Sequence, residues 1–240
     1  MATITESHTA RSSQIQAWVD AIAIWLLGCL LLGLGCFVLV GSYLHDMADR
    51  YWAAIWWQLS FACALAVIMG AIIALTRMRG VSLAEMGWGK RPTRASLVAG
   101  FLLGALYVVS VYAGILNEPA MKGVNPLALD WIRVGLVPVG ILMAIAEELM
   151  MRGFFMNRLA AARIPTWIQI LLSGLCSAAY HSFHNPSWIG FIPSFVLFSI
   201  HAILFVAAGR SLTPSVAAHS MYHVLCAPYL LMFAMSQATI

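Results

Sequence analysis

The chain has 240 residues, of which 62% are hydrophobic and only 9% charged, where a soluble domain carries roughly 45–50% apolar and 25% charged residues. So few charges cannot cover a water-facing surface, and lipid must be the solvent for most of the chain. The net charge of +4 is divided among short loops between apolar runs, which gives no reason to invoke nucleic acid.

A spanning helix needs about 20 mostly apolar residues at ~1.5 Å per residue. The first apolar run, 18–44, follows a polar tail and is too long for the core of a signal peptide, so it reads as a retained span. Arg11 is the one arginine ahead of it, and no organellar presequence is evident. Further spans follow at 52–76, 95–117, 132–156, 166–183, 189–208 and 212–236. The expected fold is an all-α polytopic transmembrane helix bundle with about seven spans, six to eight at the limits. It reads as one membrane domain over 1–240, with 1–79 as a cytoplasmic tail and two leading spans. Cys29, Cys36, Cys63, Cys176 and Cys226 fall inside apolar runs without metal-knuckle spacing and read as small buried hydrophobes. Between the second and third spans, Gly80-Val-Ser-Leu-Ala-Glu-Met-Gly87 suggests a short interfacial helix. Ser82 would cap its start and Gly87 would stop it.

The basic residues set the orientation. With the N-terminus cytoplasmic, the inner side holds Arg11, Arg77, Arg79, Lys90, Arg91, Arg94, Arg152, Arg158, Arg163 and Arg210, and the outer side only Arg50, Lys122 and Arg133. The expected location is a bacterial plasma (inner) membrane, with the C-terminus outside after seven spans.

Glu147 and Glu148 lie inside the fourth apolar run, where one central acidic residue costs roughly 2.5–3.5 kcal/mol and adjacent carboxylates also repel. Arg152, four residues beyond Glu148, can pair with it along one helix face. Glu147 lies about 100° away and is free to face a cavity. A purely structural Glu–Arg clamp is the plain alternative. His181 ends the fifth span, while His184 and Asn185 begin the outer loop. In the last span His219 and His223 are four apart and share a face, as a metal site, a carbonyl-polarising pair or a haem site would require. His201 has no companion at helical spacing, and a hydrogen bond to a neighbouring helix is its expected role. Spans four, five and seven thus each bring ionisable groups to membrane depth. A glutamate and two or three histidines can supply the base, the acid and the oxyanion donors that peptide hydrolysis needs.

These residues resemble the motifs of the CPBP intramembrane proteases, a family that includes CAAX prenyl endopeptidases and bacteriocin-processing or self-immunity proteins. EExxxR is matched by Glu147, Glu148 and Arg152. FxxxH is matched at His181, with Ser177 where the aromatic belongs. HxxxN is matched at His219, with His223 in the asparagine position. The flanking stretches Ser82–Gly87 and Ser211–His219 are similar too, so the resemblance covers roughly 80–225, the protease-like core.

The resemblance implies that Glu147 activates water with His181 completing the hydrolytic pair. By the same token His219 and the residue at 223 stabilise the oxyanion, and Glu148 with Arg152 holds the geometry. It also implies a membrane-associated or lipidated protein or peptide as substrate. Because His223 replaces asparagine, His181, His219 and His223 could instead bind a divalent metal such as zinc, with Glu147 as base. The family includes members described as metal-dependent and others described as glutamate-type. Tyr180 stands close enough in sequence to replace the missing aromatic beneath His181. The rival functions are a non-proteolytic immunity or scaffold protein on the same fold, and a transporter or b-type haem protein using the membrane histidines. No inverted repeat speaks for transport.

Overall fold

A computed structural model describes the backbone of residues 2–183 and 188–236 and the side chains of 13–183, 188 and 191–233. His184 and Asn185 lie outside the described residues. Eight helices and no strand are found among the described residues. They are α1 (Ser13–His45), α2 (Arg50–Arg79), α3 (Arg94–Asn117), α4 (Trp131–Ala161), α5 (Thr166–His181), α6 (Trp188–Ala207), α7 (Thr213–Cys226) and α8 (Tyr229–Ser236). The first four are long and apolar enough to cross a membrane. The protein is therefore an all-α polytopic membrane bundle.

The helix ends follow local chemistry. Asp49 accepts the backbone N–H groups of Tyr51 and Trp52 at the start of α2, and Gly80 ends that helix with φ 64°. Such a left-handed residue satisfies the last carbonyls at little steric cost to glycine. Thr93 and Asp130 cap α3 and α4 in the same way. The stretch expected as one span over 212–236 is instead two helices. α7 stops at Cys226 and the chain turns at Ala227-Pro228 before α8. Proline lacks the N–H that helix continuation needs and disfavours helical backbone in the residue before it. α8 packs at the bundle end, with Tyr229 against Tyr51 of α2 and Phe233 against Gly114 of α3.

The loop 80–89 also departs from expectation. Ser82 and Glu85 form a reciprocal capping box, with Ser82 N–H donating to Glu85 Oε1 (3.2 Å) and Glu85 N–H to Ser82 Oγ (3.2 Å). These bonds hold the Glu85 carboxyl below the usual carboxylate range. Yet the chain continues as successive turns rather than a helix, because it is tied to other elements. The Gly87 carbonyl accepts Leu212 N–H (3.2 Å), the Lys90 carbonyl accepts Ser211 Oγ (2.7 Å), and the Glu85 carbonyl accepts Asn157 Nδ2 (3.0 Å).

Two polar clusters mark the opposite ends of the bundle. At one end Asp20 of α1 binds Arg79 of α2 (3.1 Å) and Arg158 of α4 (2.9 Å). At the other, Asp130 accepts Tyr51 Oη (2.5 Å), and buried Arg133 donates to the carbonyls of Pro126, Ala128 and Leu225. The Tyr51 bond, with the Arg133 N–H behind it, holds the Asp130 carboxyl below its ordinary range. Residues 20, 79 and 158 share one side, and 51, 130 and 225 the other, as alternating crossings require. Exposed Tyr43, Trp52, Trp131 and Trp188 ring the second end, and Trp88 and Trp167 the first, where amphipathic rings sit at lipid headgroup level.

α3 packs chiefly along α7, and α7 in turn along α4. The first contact needs two glycines. A Cβ on Gly100 would lie 2.4 Å from the Pro214 carbonyl oxygen, and one on Gly104 would lie 2.9 Å from that of Ala218. Small residues four apart let two membrane helices meet backbone to backbone. Since the Pro214 carbonyl cannot yield as a side chain would, Gly100→Val should force α3 and α7 apart at a cost of at least about 1–3 kcal/mol. Thermal unfolding of detergent-purified protein would measure this. An unchanged midpoint would show that the contact is not tight.

Candidate active site

Glu147 and Glu148 occupy the middle of α4, just before a stretch, Leu149–Phe155, wound with wider i→i+5 turns. Such turns are rare and recur at functional positions. The stretch is entirely buried, and Arg152 within it has no exposed surface.

Glu148 is likewise inaccessible to solvent, so its charge must be met by protein groups. Arg152 Nε lies 3.4 Å from Oε2. The Arg152 guanidinium is held from behind, where Nη2 donates to the Phe198 carbonyl (2.7 Å) and the group packs over the Phe198 ring at 5.4 Å. The other oxygen, Oε1, takes His219 Nδ1 at 2.8 Å and has His201 Nδ1 at 3.2 Å.

Glu147 points the other way, as the ~100° step of a helix dictates. Its Oε2 lies 2.9 Å from His219 Nε2, and its Oε1 lies 3.8 Å from His181 Nε2. His219 thus stands between the two carboxylates, one at each ring nitrogen. The imidazole can donate to both only when both nitrogens carry protons, and the four groups Glu147, Glu148, Arg152 and His219 are then neutral as a set.

The ring of His181 is set by its own helix. Nδ1 lies 2.9 Å from the Ser177 carbonyl oxygen, which only accepts, so Nδ1 carries the proton and Nε2 presents a lone pair towards Glu147. The aromatic missing at Ser177 is replaced in space. Tyr180 packs against His181 at 4.4 Å and Phe198 at 4.5 Å between ring centroids. The side chain of His181 keeps 22% of its surface exposed while that of Glu147 keeps 7%, so His181 is the more accessible of the pair. His223 stacks on His219 at 5.1 Å, and its buried Nε2 has no hydrogen-bond partner.

All the sequence-derived candidates, Glu147, Glu148, Arg152, His181, His219 and His223, therefore surround one point between α4, α5 and α7. His201 joins them, although nothing in its own helix marked it. The usable signal was the cost of an imidazole in an apolar span, which implies a polar partner. Which helix would supply that partner was not written in the spacing.

Two groups of ionisable side chains could hold a cation: Glu147 with His219 and His223, and Glu148 with His201 and His219, each with its donor atoms within 4.8 Å of one another. Neither is the three-histidine set expected above, because His181 belongs to neither. The first fits a zinc-like ion. It offers nitrogen and carboxylate donors, its His223 Nε2 is otherwise unpaired, and Glu148 stands behind His219 as the outer carboxylate that commonly orients a ligating imidazole. The second is a poor cation site, because Arg152 already neutralises Glu148 at 3.4 Å.

Comparison with known families agrees with this geometry. Residues 129–225 match the family described as type II CAAX prenyl endopeptidase Rce1-like, so this part of the chain is similar to that family. It contains all the residues just described. No curated protein and no solved structure matches the chain.

The Glu148–Arg152 pair carries a clear energetic expectation. Glu148→Ala leaves Arg152 buried and uncompensated and should cost about 3–5 kcal/mol, whereas Glu148→Leu with Arg152→Met removes both charges and should cost far less. A double-mutant cycle by denaturant unfolding in detergent measures the coupling. Simple additivity of the two single changes would show that the pair does not interact.

Proposed function

We propose that this protein is an intramembrane endopeptidase in which Glu147 activates a water molecule for attack on a peptide carbonyl. The observation that carries the reading is the Glu147–His181 pair. Nε2 of His181 and Oε1 of Glu147 are both acceptors, 3.8 Å apart, a separation that suits one water donating a hydrogen to each. Such a water has its oxygen lone pairs free for attack.

On attack, the water oxygen bonds to the carbonyl carbon and its proton passes to Glu147. The negative charge on the former carbonyl oxygen is met by the N–H of His223, whose Nε2 is otherwise unpaired, and by the Nε2–H of His219 as protonation of Glu147 weakens its hold on that group. As the C–N bond breaks, Glu147 returns the proton to the leaving amine. His219 remains oriented throughout by its 2.8 Å contact with Glu148, whose other oxygen lies 3.4 Å from Arg152 Nε. A zinc ion held by Glu147, His219 and His223 would supply Lewis-acid polarisation at the same place.

The proposed substrate is a membrane-associated protein or peptide. The matched family's description names prenylated CAAX ends, which makes a lipidated C-terminus the first to test. Support for a core beginning near residue 80 comes from the bonds of Glu85, Gly87 and Lys90 to the end of α4 and the start of α7. We place the protein in a bacterial plasma membrane. The arginines of the Asp20 cluster would then lie on the cytoplasmic side, following the bias of basic residues.

Glu147→Gln keeps the shape but removes the base, and should lower cleavage roughly 10²–10⁴-fold while leaving the amount of membrane-inserted protein unchanged. Purified protein in liposomes, with a quenched fluorogenic peptide bearing a farnesylated C-terminal CAAX sequence, supplies the assay. Undiminished cleavage by this variant would rule the mechanism out.

A further inference from the structure

We propose that His201 of α6 is a positioning residue for the hydrolytic site, holding the Glu148 carboxylate and through it the ring of His219. The inference rests on the peptidase reading for its kinetic consequence, but its structural content stands apart from it.

His201 is 1% exposed and comes from α6. Its Nδ1 lies 3.2 Å from Glu148 Oε1, the same oxygen that takes His219 Nδ1 at 2.8 Å. That approach misses hydrogen-bond geometry, and Nδ1 has no hydrogen-bond partner, so Glu148 Oε1 is the carboxylate oxygen within its reach. The two imidazoles meet edge to face, with centroids 5.6 Å apart and planes at 78°. One carboxylate oxygen has two lone pairs and can accept two donors. With Arg152 beside the other oxygen, the carboxylate is held from three directions and cannot rotate without breaking a contact. His219 then has one ring orientation compatible with Glu148, and that orientation points Nε2 at Glu147.

Two plainer roles fit less well. As a metal ligand, His201 would share a cation with Glu148 against Arg152 at 3.4 Å from the same carboxylate, where like charges repel. As a packing residue, it would be inferior to leucine, since its neighbours Phe198, Ala202 and Phe205 are buried and apolar and an imidazole there brings a desolvation cost that only a polar partner offsets.

The δ position of the imidazole nitrogen provides the test. Asparagine places an amide N–H near the histidine δ position, and glutamine places one near the ε position. His201→Asn should therefore preserve the contact and His201→Gln should lose it, although both are polar and similar in their demand for solvation. With the farnesylated fluorogenic peptide, we expect kcat to fall roughly 10- to 100-fold in His201→Gln, a range typical of lost outer-shell partners. KM should stay within about twofold, as expected when only positioning in the transition state is lost. His201→Asn should stay within about threefold of the unmodified protein, on the same reasoning that a retained donor retains the effect.

A second readout does not need catalysis. In protein labelled with ¹⁵N-histidine, the His219 Nδ1–H resonance should persist in His201→Asn and broaden or shift in His201→Gln. Thermal midpoints of both variants report folding. If the unmodified protein does not cleave the peptide but the resonance behaves as stated, the positioning role holds and the substrate or peptidase reading fails. Equal kcat and equal His219 resonances in the two variants would overturn the role of His201. So would a loss of kcat in both that tracks a matching fall in thermal midpoint, because the effect would then be one of folding alone.

Discussion

A charged carboxylate without access to water sets the terms for the rest of this molecule. Glu148 has no exposed surface and lies in the interior of a helical bundle built for lipid. Its charge is tolerated only because a guanidinium and two imidazoles from three helices converge on it. An ion pair in such surroundings contributes little net stability relative to an apolar core, and removing one member is costly. The arrangement is therefore better understood as a means of fixing positions than as a source of stability. Arg152 is locked by the Phe198 carbonyl, Glu148 by Arg152, and His219 by Glu148.

The packing of the helices serves the same end. α7 must approach closely for His219 to reach both glutamates, and it does so against the glycine face of α3. Polar clusters at the two bundle ends, around Asp20 and Arg133, tie α1, α2 and α4 on one side and the α2 and α4 ends with Leu225 on the other. Between them the interior is apolar, so the few ionisable groups at mid-depth have one another as partners. The loop near Gly87, bonded to the start of α7, fixes that helix along its axis as well.

Adjacent glutamates end up in different surroundings because a helix turns about 100° per residue. Glu148 enters the charge network and has no surface, while Glu147 faces the partly exposed His181. One chemical group thus has two environments within a single turn. The tautomer of His181 is decided by a backbone carbonyl of its own helix. The direction of its free nitrogen therefore depends on α5 alone, and its distance from Glu147 on how α5 meets α4.

By itself the sequence determined the solvent, the helical class and the residues worth suspecting. Each of these follows from the high cost of charge in lipid, and that cost can be read one residue at a time. The Glu148–Arg152 pair was legible for the same reason, since four residues on a helix fix the separation. Other features depended on contacts between residues far apart in sequence, which no local pattern encodes. The turns that replaced a helix after Ser82 and the close approach at Gly100 and Gly104 belong to this group. Tyr180 and Phe198 standing in for an aromatic at Ser177 required the bundle to be assembled. So did the placing of His219 between two carboxylates and the recruitment of His201 from another helix. Only the tertiary structure could decide these, because the energy of a buried charge depends on which groups surround it and those groups come from several helices.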